Sequence, residues 1–148
     1  MSQVNNIQKL REITGAGVME CKKALEEAQG DFDKAISIIH ERGLSKVEKR
    51  ADRATGAGLI FSYIHNERIG VLIDLRAETD FVVKSDPFRN LIKELAMQIA
   101  AMAPSNVEEL LNQPYIKDES KKVQDLINET IALVGENIRV NTFARLEV

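Results

Sequence analysis

The side chains that most often do chemistry are few in this chain and poorly spaced for it. Its 148 residues include two histidines, His40 and His65, and one cysteine, Cys21. The histidines fall in different parts of the sequence, and neither stands in an H-E-x-x-H or other paired spacing that would hold zinc. Cys21 precedes Lys22 and Lys23, cations that could lower a thiol pKa and make a nucleophile. It also sits in a helical stripe with Ala24, Leu25 and Ala28, where a cysteine serves as a small core residue. The glycine pairs Gly15/Gly17 and Gly56/Gly58 lack the third glycine of a dinucleotide fingerprint and the Gly-Lys-Ser/Thr of a P-loop, so they read as turns. No Ser/His/Asp set stands out. The chain is therefore not expected to be an enzyme, and no catalytic residue, metal ligand or cofactor is assigned.

One stretch remains, RAETDFVVKSDPF (Arg76–Phe88), whose centre is Thr79-Asp80-Phe81-Val82. Loops at strand-to-helix junctions usually carry small polar residues, and this one sets a carboxylate beside a phenylalanine. Asp80 could cap the turn while Phe81 fills the core at the sheet edge. Alternatively, Phe81 is an interface anchor flanked by an acid, a position in which aromatic residues are enriched among binding hot spots. Spacing alone leaves both open.

The elements that must carry this loop are legible from periodicity. Val4, Ile7, Leu10 and Ile13 fall at helical spacing before TGAG breaks the pattern. Val18, Cys21, Ala24, Leu25 and Ala28 form a second stripe, closed by Gly30. Asp31 can cap a third helix, with Phe32, Ala35, Ile36 and Ile39 inward until Gly43. Helices of about ten residues are marginal alone in water, so residues 1–44 are expected to pack as a three-helix module. Residues 45–55 are rich in charged helix formers and read as a helical linker. In the core domain, residues 56–148, the period changes to 2: Leu59, Phe61 and Tyr63 alternate, HNER turns, and Ile69, Val71, Ile73 and Leu75 alternate again, which predicts a β-hairpin. Asp86 is expected to cap a long helix, with Pro87 at its first position and a stripe of Phe88, Leu91, Ile92, Leu95, Ile99 and Met102. Ser105-Asn-Val-Glu108 has a capping-box pattern, NQPYIKD reads as an extended link, and Val123 to Val134 as a last helix. The terminal strand places Ile138, Val140, Thr142, Ala144, Leu146 and Val148 on one face, with Phe143 as an exception. The order β-β-α-α-α-β predicts an α+β fold, a three-stranded antiparallel sheet packed with helices.

Composition narrows the partners. The chain is 44% hydrophobic and 29% charged, with net charge −3. A nucleic-acid binder generally shows a basic face, and only Lys46 to Arg53 is locally basic, with acids interrupting it. It reads as a solvated helical face, so no direct nucleic-acid contact is expected. No apolar run approaches the ~18 residues of a membrane span. The lone cysteine and an N-terminus without a signal or transit pattern suggest a cytoplasmic protein without a membrane partner.

Three stretches then carry a resemblance. LREITGAGVMECKKALEEAQGDFDKAI (Leu10–Ile36), RIGVLIDLRAETDFVVKSDPFRNLIKELAMQIAAMAP (Arg68–Pro104) and GENIRVNTFARLEV (Gly135–Val148) together resemble the translation elongation factor Ts family. The T-G-A-G, T-D-F-V and G-E-N-I blocks are its specific parts. The resemblance implies a guanine-nucleotide exchange factor for elongation factor Tu, binding Tu with GDP and without nucleotide. It implies that residues 1–44 form a ubiquitin-associated-like domain, which docks on Tu through Arg11, Val18 and Met19. It also implies that Thr79, Asp80, Phe81 and Val82 reach the Mg2+ side of the Tu nucleotide pocket, with Asp80 and Phe81 dislodging the ion. The chain departs from the family at Arg76-Ala77, where relatives often have Asn-Cys, and at Asn141, where a basic residue is common. It also lacks a long helical insert, for only Ser105 to Asn112 fill that gap. Short relatives act as homodimers, so a second copy of this chain is a further expected partner.

Overall fold

The structure, a computed structural model, describes residues 2–148. The chain divides into two compact units, one reaching Lys49 and the other running from Arg50 to Val148.

The first unit is helical. Helix α1 (Gln3–Thr14) is capped by Ser2, whose hydroxyl accepts a hydrogen bond from the Asn5 N–H at 3.3 Å. It stops at Gly15, where φ is 71° and the N–H donates to the Arg11 carbonyl; a residue without Cβ adopts that left-handed turn at little cost. Helices α2 (Val18–Glu27) and α3 (Phe32–Arg50) follow, with Asp31 accepting from the Lys34 N–H at 3.1 Å. Leu10, Cys21, Ala24, Leu25, Ala28, Ala35 and Ile39 close the core. Two expectations need correction. Val4, Ile13 and, at the start of the second stripe, Val18 are 72%, 56% and 48% exposed rather than inward. A strict i, i+3 row drifts about 60° around the helix at each step, so the ends of the row leave the buried face that Ile7 and Leu10 occupy. Nor does the third helix end at Gly43. An interior glycine costs about 1 kcal/mol, and the charged helix formers beyond it carry α3 on to Arg50, with Lys46 paired to Glu20 at 3.1 Å. The first part of the expected linker is thus the last turns of α3.

The second unit is a mixed layer of helices on a three-stranded antiparallel sheet. Strands β1 (Ala57–His65) and β2 (Ile69–Ala77) form a hairpin. Its turn residues Asn66 and Glu67 have φ of 50° and 59°, the left-handed pair that matches strand twist. A one-turn helix α4 (Asp80–Val83), a long α5 (Asp86–Met102) and a short α6 (Val107–Asn112) come next. A small ribbon of β3 (Pro114–Tyr115) and β4 (Asp118–Lys122), then α7 (Val123–Val134) and β5 (Ile138–Glu147), complete the chain. The sheet order is β1-β2-β5. Helix α5 packs on β1 and β2, burying Phe88, Ile92, Leu95 and Ile99 against a face that holds Val71, Ile73, Leu75 and Ala77.

Several local expectations shift. The N-caps of α5 and α6 are Ser85 and Asn106, one residue away from Asp86 and Ser105. Met102 ends the α5 stripe in an exposed position, whereas Gln98, a polar residue outside the stripe, is fully buried. Its amide explains the ribbon that replaces the expected extended link. Gln98 Nε2 donates to Gln113 Oε1 and the Pro114 carbonyl at 3.2 and 3.1 Å, and its Oε1 accepts from the Ile116 N–H at 3.0 Å. In β5 the ladder slips between Asp74 and Leu75, which face Thr142 and Val140, so Asn141 is an extra residue. A bulge reverses the side-chain alternation. Ile138 and Val140 point inward before it; Phe143 and Arg145 face Ile73 and Val71 after it. Phe143 is therefore no exception. Thr142, Ala144 and Leu146 change to the open face, where Leu146 is 78% exposed.

Candidate partner-binding site at the junction of β2 and α5

The junction begins where β2 leaves the sheet. Thr79 is extended, φ −131° and ψ 154°, and caps α4 by accepting from the Val82 N–H at 3.4 Å. The Val83 N–H reaches back to the Thr79 carbonyl at 3.3 Å, and the Lys84 N–H to that of Asp80 at 3.1 Å. Ser85 closes the turn with both its N–H and its hydroxyl on the Val82 carbonyl, at 2.9 and 2.6 Å. A single turn this short has almost no helical stability of its own; the burial of Val82 and Val83 fixes it.

That burial decides the direction of the other two side chains. Val82 is 5% exposed and Phe81 is 87% exposed. Asp80 is exposed as well. Of the four residues proposed for this site, Asp80 and Phe81 thus stand out together in solvent, Thr79 caps the turn, and Val82 is its inward anchor. A phenylalanine so exposed contributes nothing to its own core, and it leaves a large apolar surface beside a carboxylate.

A second grip comes from the connection between α7 and β5, which the sequence marked only as the G-E-N-I block. The Glu136 carboxylate accepts from the Thr79 N–H at 2.9 Å through Oε1 and from the Thr79 hydroxyl at 2.7 Å through Oε2. Next to it, Glu78 Oε1 accepts from the Asn137 N–H at 2.8 Å. Sequence reasoning missed this grip because residues 79 and 136 are far apart in the chain and neither carries a local pattern that names the other.

In the first unit, Arg11, Val18 and Met19 lie on either side of the Gly15-Ala16-Gly17 turn and are all exposed. Ile13, read from the sequence as core, is exposed shortly before the same turn. Cys21 lies within the unit and is fully buried. Burial pushes its thiol pKa up, against the lowering effect of Thr14, which is the opposite of nucleophile activation. The locally basic run is partly occupied: besides the Lys46–Glu20 pair, Arg53 lies 3.8 Å from Glu78. Among the described residues there is no cluster of three His, Cys, Asp or Glu side chains that could hold a metal ion. No described helix is long and apolar enough to cross a membrane.

Comparison with known proteins adds the family. A family model described as elongation factor TS matches residues 78–148, which begin at the β2–α4 junction and include the Glu136 connection. Elongation factor Ts of Thermotoga neapolitana is 44% identical, covering 96% of this chain and 94% of its own length. Elongation factors Ts of Thermotoga maritima and Thermodesulfovibrio yellowstonii are 42% and 40% identical over the same shares. The chain belongs to the elongation factor Ts family. Family membership places it in translation elongation, among nucleotide exchange factors rather than enzymes that make or break covalent bonds. The alignments span 186 positions against the 148 residues here. Relatives of the Ts family therefore carry residues that this short member lacks.

Proposed function

We propose that this protein is a guanine-nucleotide exchange factor for elongation factor Tu, and that it works by inserting the α4 turn beside the Mg2+ site of Tu·GDP. The observation that carries this is the projection of Phe81, 87% exposed, from a turn fixed by buried valines on one side and by Glu136 on the other. Mg2+ tolerates little departure from octahedral coordination at ~2.0–2.1 Å. A ring wedged behind one of its supporting loops weakens ion and phosphate binding together, and Asp80 repels the phosphates or competes for the cation. Burying the Phe81 side chain on Tu supplies about 1.5–3 kcal/mol, one to two powers of ten in GDP affinity, and further contacts must supply the rest. Arg11, Val18 and Met19 are assigned to a contact with the nucleotide-binding domain of Tu, made by a three-helix module of ubiquitin-associated-like kind. By linkage, whatever affinity the factor removes from GDP, GDP removes from the factor. Cytosolic GTP then refills the emptied site; no direct nucleic-acid or membrane contact takes part.

Release of fluorescent GDP from Tu in stopped flow tests the function. Catalytic amounts of the protein should accelerate release, and Phe81→Ala should remove most of the acceleration. No acceleration by the unmutated protein defeats the assignment, and full acceleration by Phe81→Ala defeats the wedge.

A homodimer is a second element of the proposal, supported by the open face of the sheet. Ile60 and Ile64 on β1, Leu72 on β2 and Leu146 on β5 are all exposed there. With Ala144 opposite Leu72 and Gly70 between Ile64 and Leu146, they make an apolar surface that a monomer gains nothing by showing to water. A two-fold axis would bring this surface against itself.

A further inference from the structure

We infer that Glu136 is a positioning residue for nucleotide exchange, holding the α4 turn so that Phe81 is presented in one orientation; this rests on the exchange function proposed above. Backbone pairing between β2 and β5 ends at Ala77 and Ile138. Beyond that pair the two chains continue to bond, but with carboxylates in place of carbonyls. Glu136 takes the Thr79 N–H and hydroxyl at 2.9 and 2.7 Å, and Glu78 takes the Asn137 N–H at 2.8 Å. Two successive residues on each side are thereby cross-bonded in a reciprocal arrangement. Asn137, largely buried, extends it by donating from Nδ2 to the Ala51 and Arg53 carbonyls at 3.3 and 3.0 Å.

The Thr79 hydroxyl is the central piece. It has one proton and two lone pairs. Its proton goes to Glu136 Oε2, and a lone pair receives the Val82 N–H at 3.4 Å. Glu136 therefore directs the hydroxyl into the cap and, through the cap, sets the direction of the first turn of α4, whose second residue is Phe81. Without the carboxylate the hydroxyl is free to rotate and the Thr79 N–H turns to water. Val82 and Val83 would still hold the turn against the core, so the loss is of orientation rather than of fold. Glu136 itself need not touch the partner.

Two readouts on the whole protein separate this from a merely structural role. First, amide hydrogen exchange in Glu136→Ala should be faster at Thr79 and Val82 by about tenfold or less, in keeping with a few modest hydrogen bonds, while β2 amides keep their protection. Second, in GDP release from Tu the maximal rate should fall roughly three- to tenfold with the half-saturating concentration changed less than about twofold. Glu136→Gln, which keeps an acceptor but offers an NH2 to one of two donors, should fall between. The double variant Phe81→Ala/Glu136→Ala should release GDP no more slowly than Phe81→Ala alone, because both losses act through one ring. Unchanged exchange rates in Glu136→Ala, or a further full loss in the double variant, overturn the inference while leaving the function intact. Failure of the unmutated protein to accelerate release overturns the function itself and is seen before any variant is made.

Discussion

Phe81 and Val82 are adjacent, both apolar, and have opposite fates. One turn of helix puts Val82 under the sheet edge and Phe81 into water, so their substitutions should be opposite in kind. Val82→Ala should cost about 1–3 kcal/mol of stability in a urea titration of the second unit. Phe81→Ala should stay within about 0.5 kcal/mol, as surface changes do, while losing exchange activity. A large stability loss in Phe81→Ala would mean that the ring is core. The sequence could not decide between these residues: T-D-F-V offers two apolar side chains at a junction, and which one is buried depends on where a four-residue helix starts. Cys21 was easier, since its stripe with Ala24, Leu25 and Ala28 marks a core position. With its pKa raised by burial, its thiol should be inert to an aromatic disulfide reagent at neutral pH until denaturant is added. Rapid labelling of the native protein would contradict the burial.

At the scale of elements, regular periodicity was legible and interruptions of it were not. The alternation of Leu59 to Leu75 gave the hairpin, and the Phe88–Ile99 stripe gave α5. The bulge at Asn141 was hidden, because an extra residue in one strand is visible only against its partner. The residues around it are specific: Arg76 lies along the sheet to reach Asp74, Nε to Oδ1 at 2.6 Å, and Asn141 donates to Asp74 Oδ2 at 3.0 Å. Gly58 makes this possible. A Cβ there would lie 2.5 Å from Arg76 Cδ and 3.0 Å from the Leu75 carbonyl oxygen. Gly58→Ala should therefore destabilise the second unit by about 1–3 kcal/mol, and less in an Arg76→Ala background; an equal penalty in both would show that the backbone, not the arginine, sets the limit. The Arg76 hydrogen bond holds the Asp74 carboxyl below the usual carboxylate range. A lowered folded pKa stabilises above the unfolded value, near 3.9, and that stability is lost as pH falls through the folded value. Urea midpoints between about pH 2 and 5 should thus fall less steeply in Asp74→Asn than in the unmutated protein. Parallel slopes would mean that the pair contributes nothing.

For the whole molecule, the sequence indicated a helical part followed by an α+β part, with an apolar run to fill each. The open sheet face was misjudged, because Leu146 was assigned to the same side as Ile138 and Val140. Once the bulge turns it outward, Leu146 joins Ile60, Ile64 and Leu72 on one exposed surface. Sedimentation equilibrium should therefore give a mass near twice the 16.6 kDa of the chain. Leu72→Lys, at the centre of that surface, should return it to about one chain with the fold retained, since buried unpaired charge is costly in an interface. A monomeric unmutated protein at micromolar concentration would contradict a dimer.

The central claim is that Phe81 acts through the Mg2+ of Tu. The most direct measurement is GDP release from Tu at saturating factor, for the unmutated protein and for Phe81→Ala, in excess Mg2+ and again in excess chelator. A wedge at the ion predicts a large rate ratio between the two proteins with Mg2+ present, converging towards one when the ion is removed. A ratio that is the same with and without Mg2+ would contradict it.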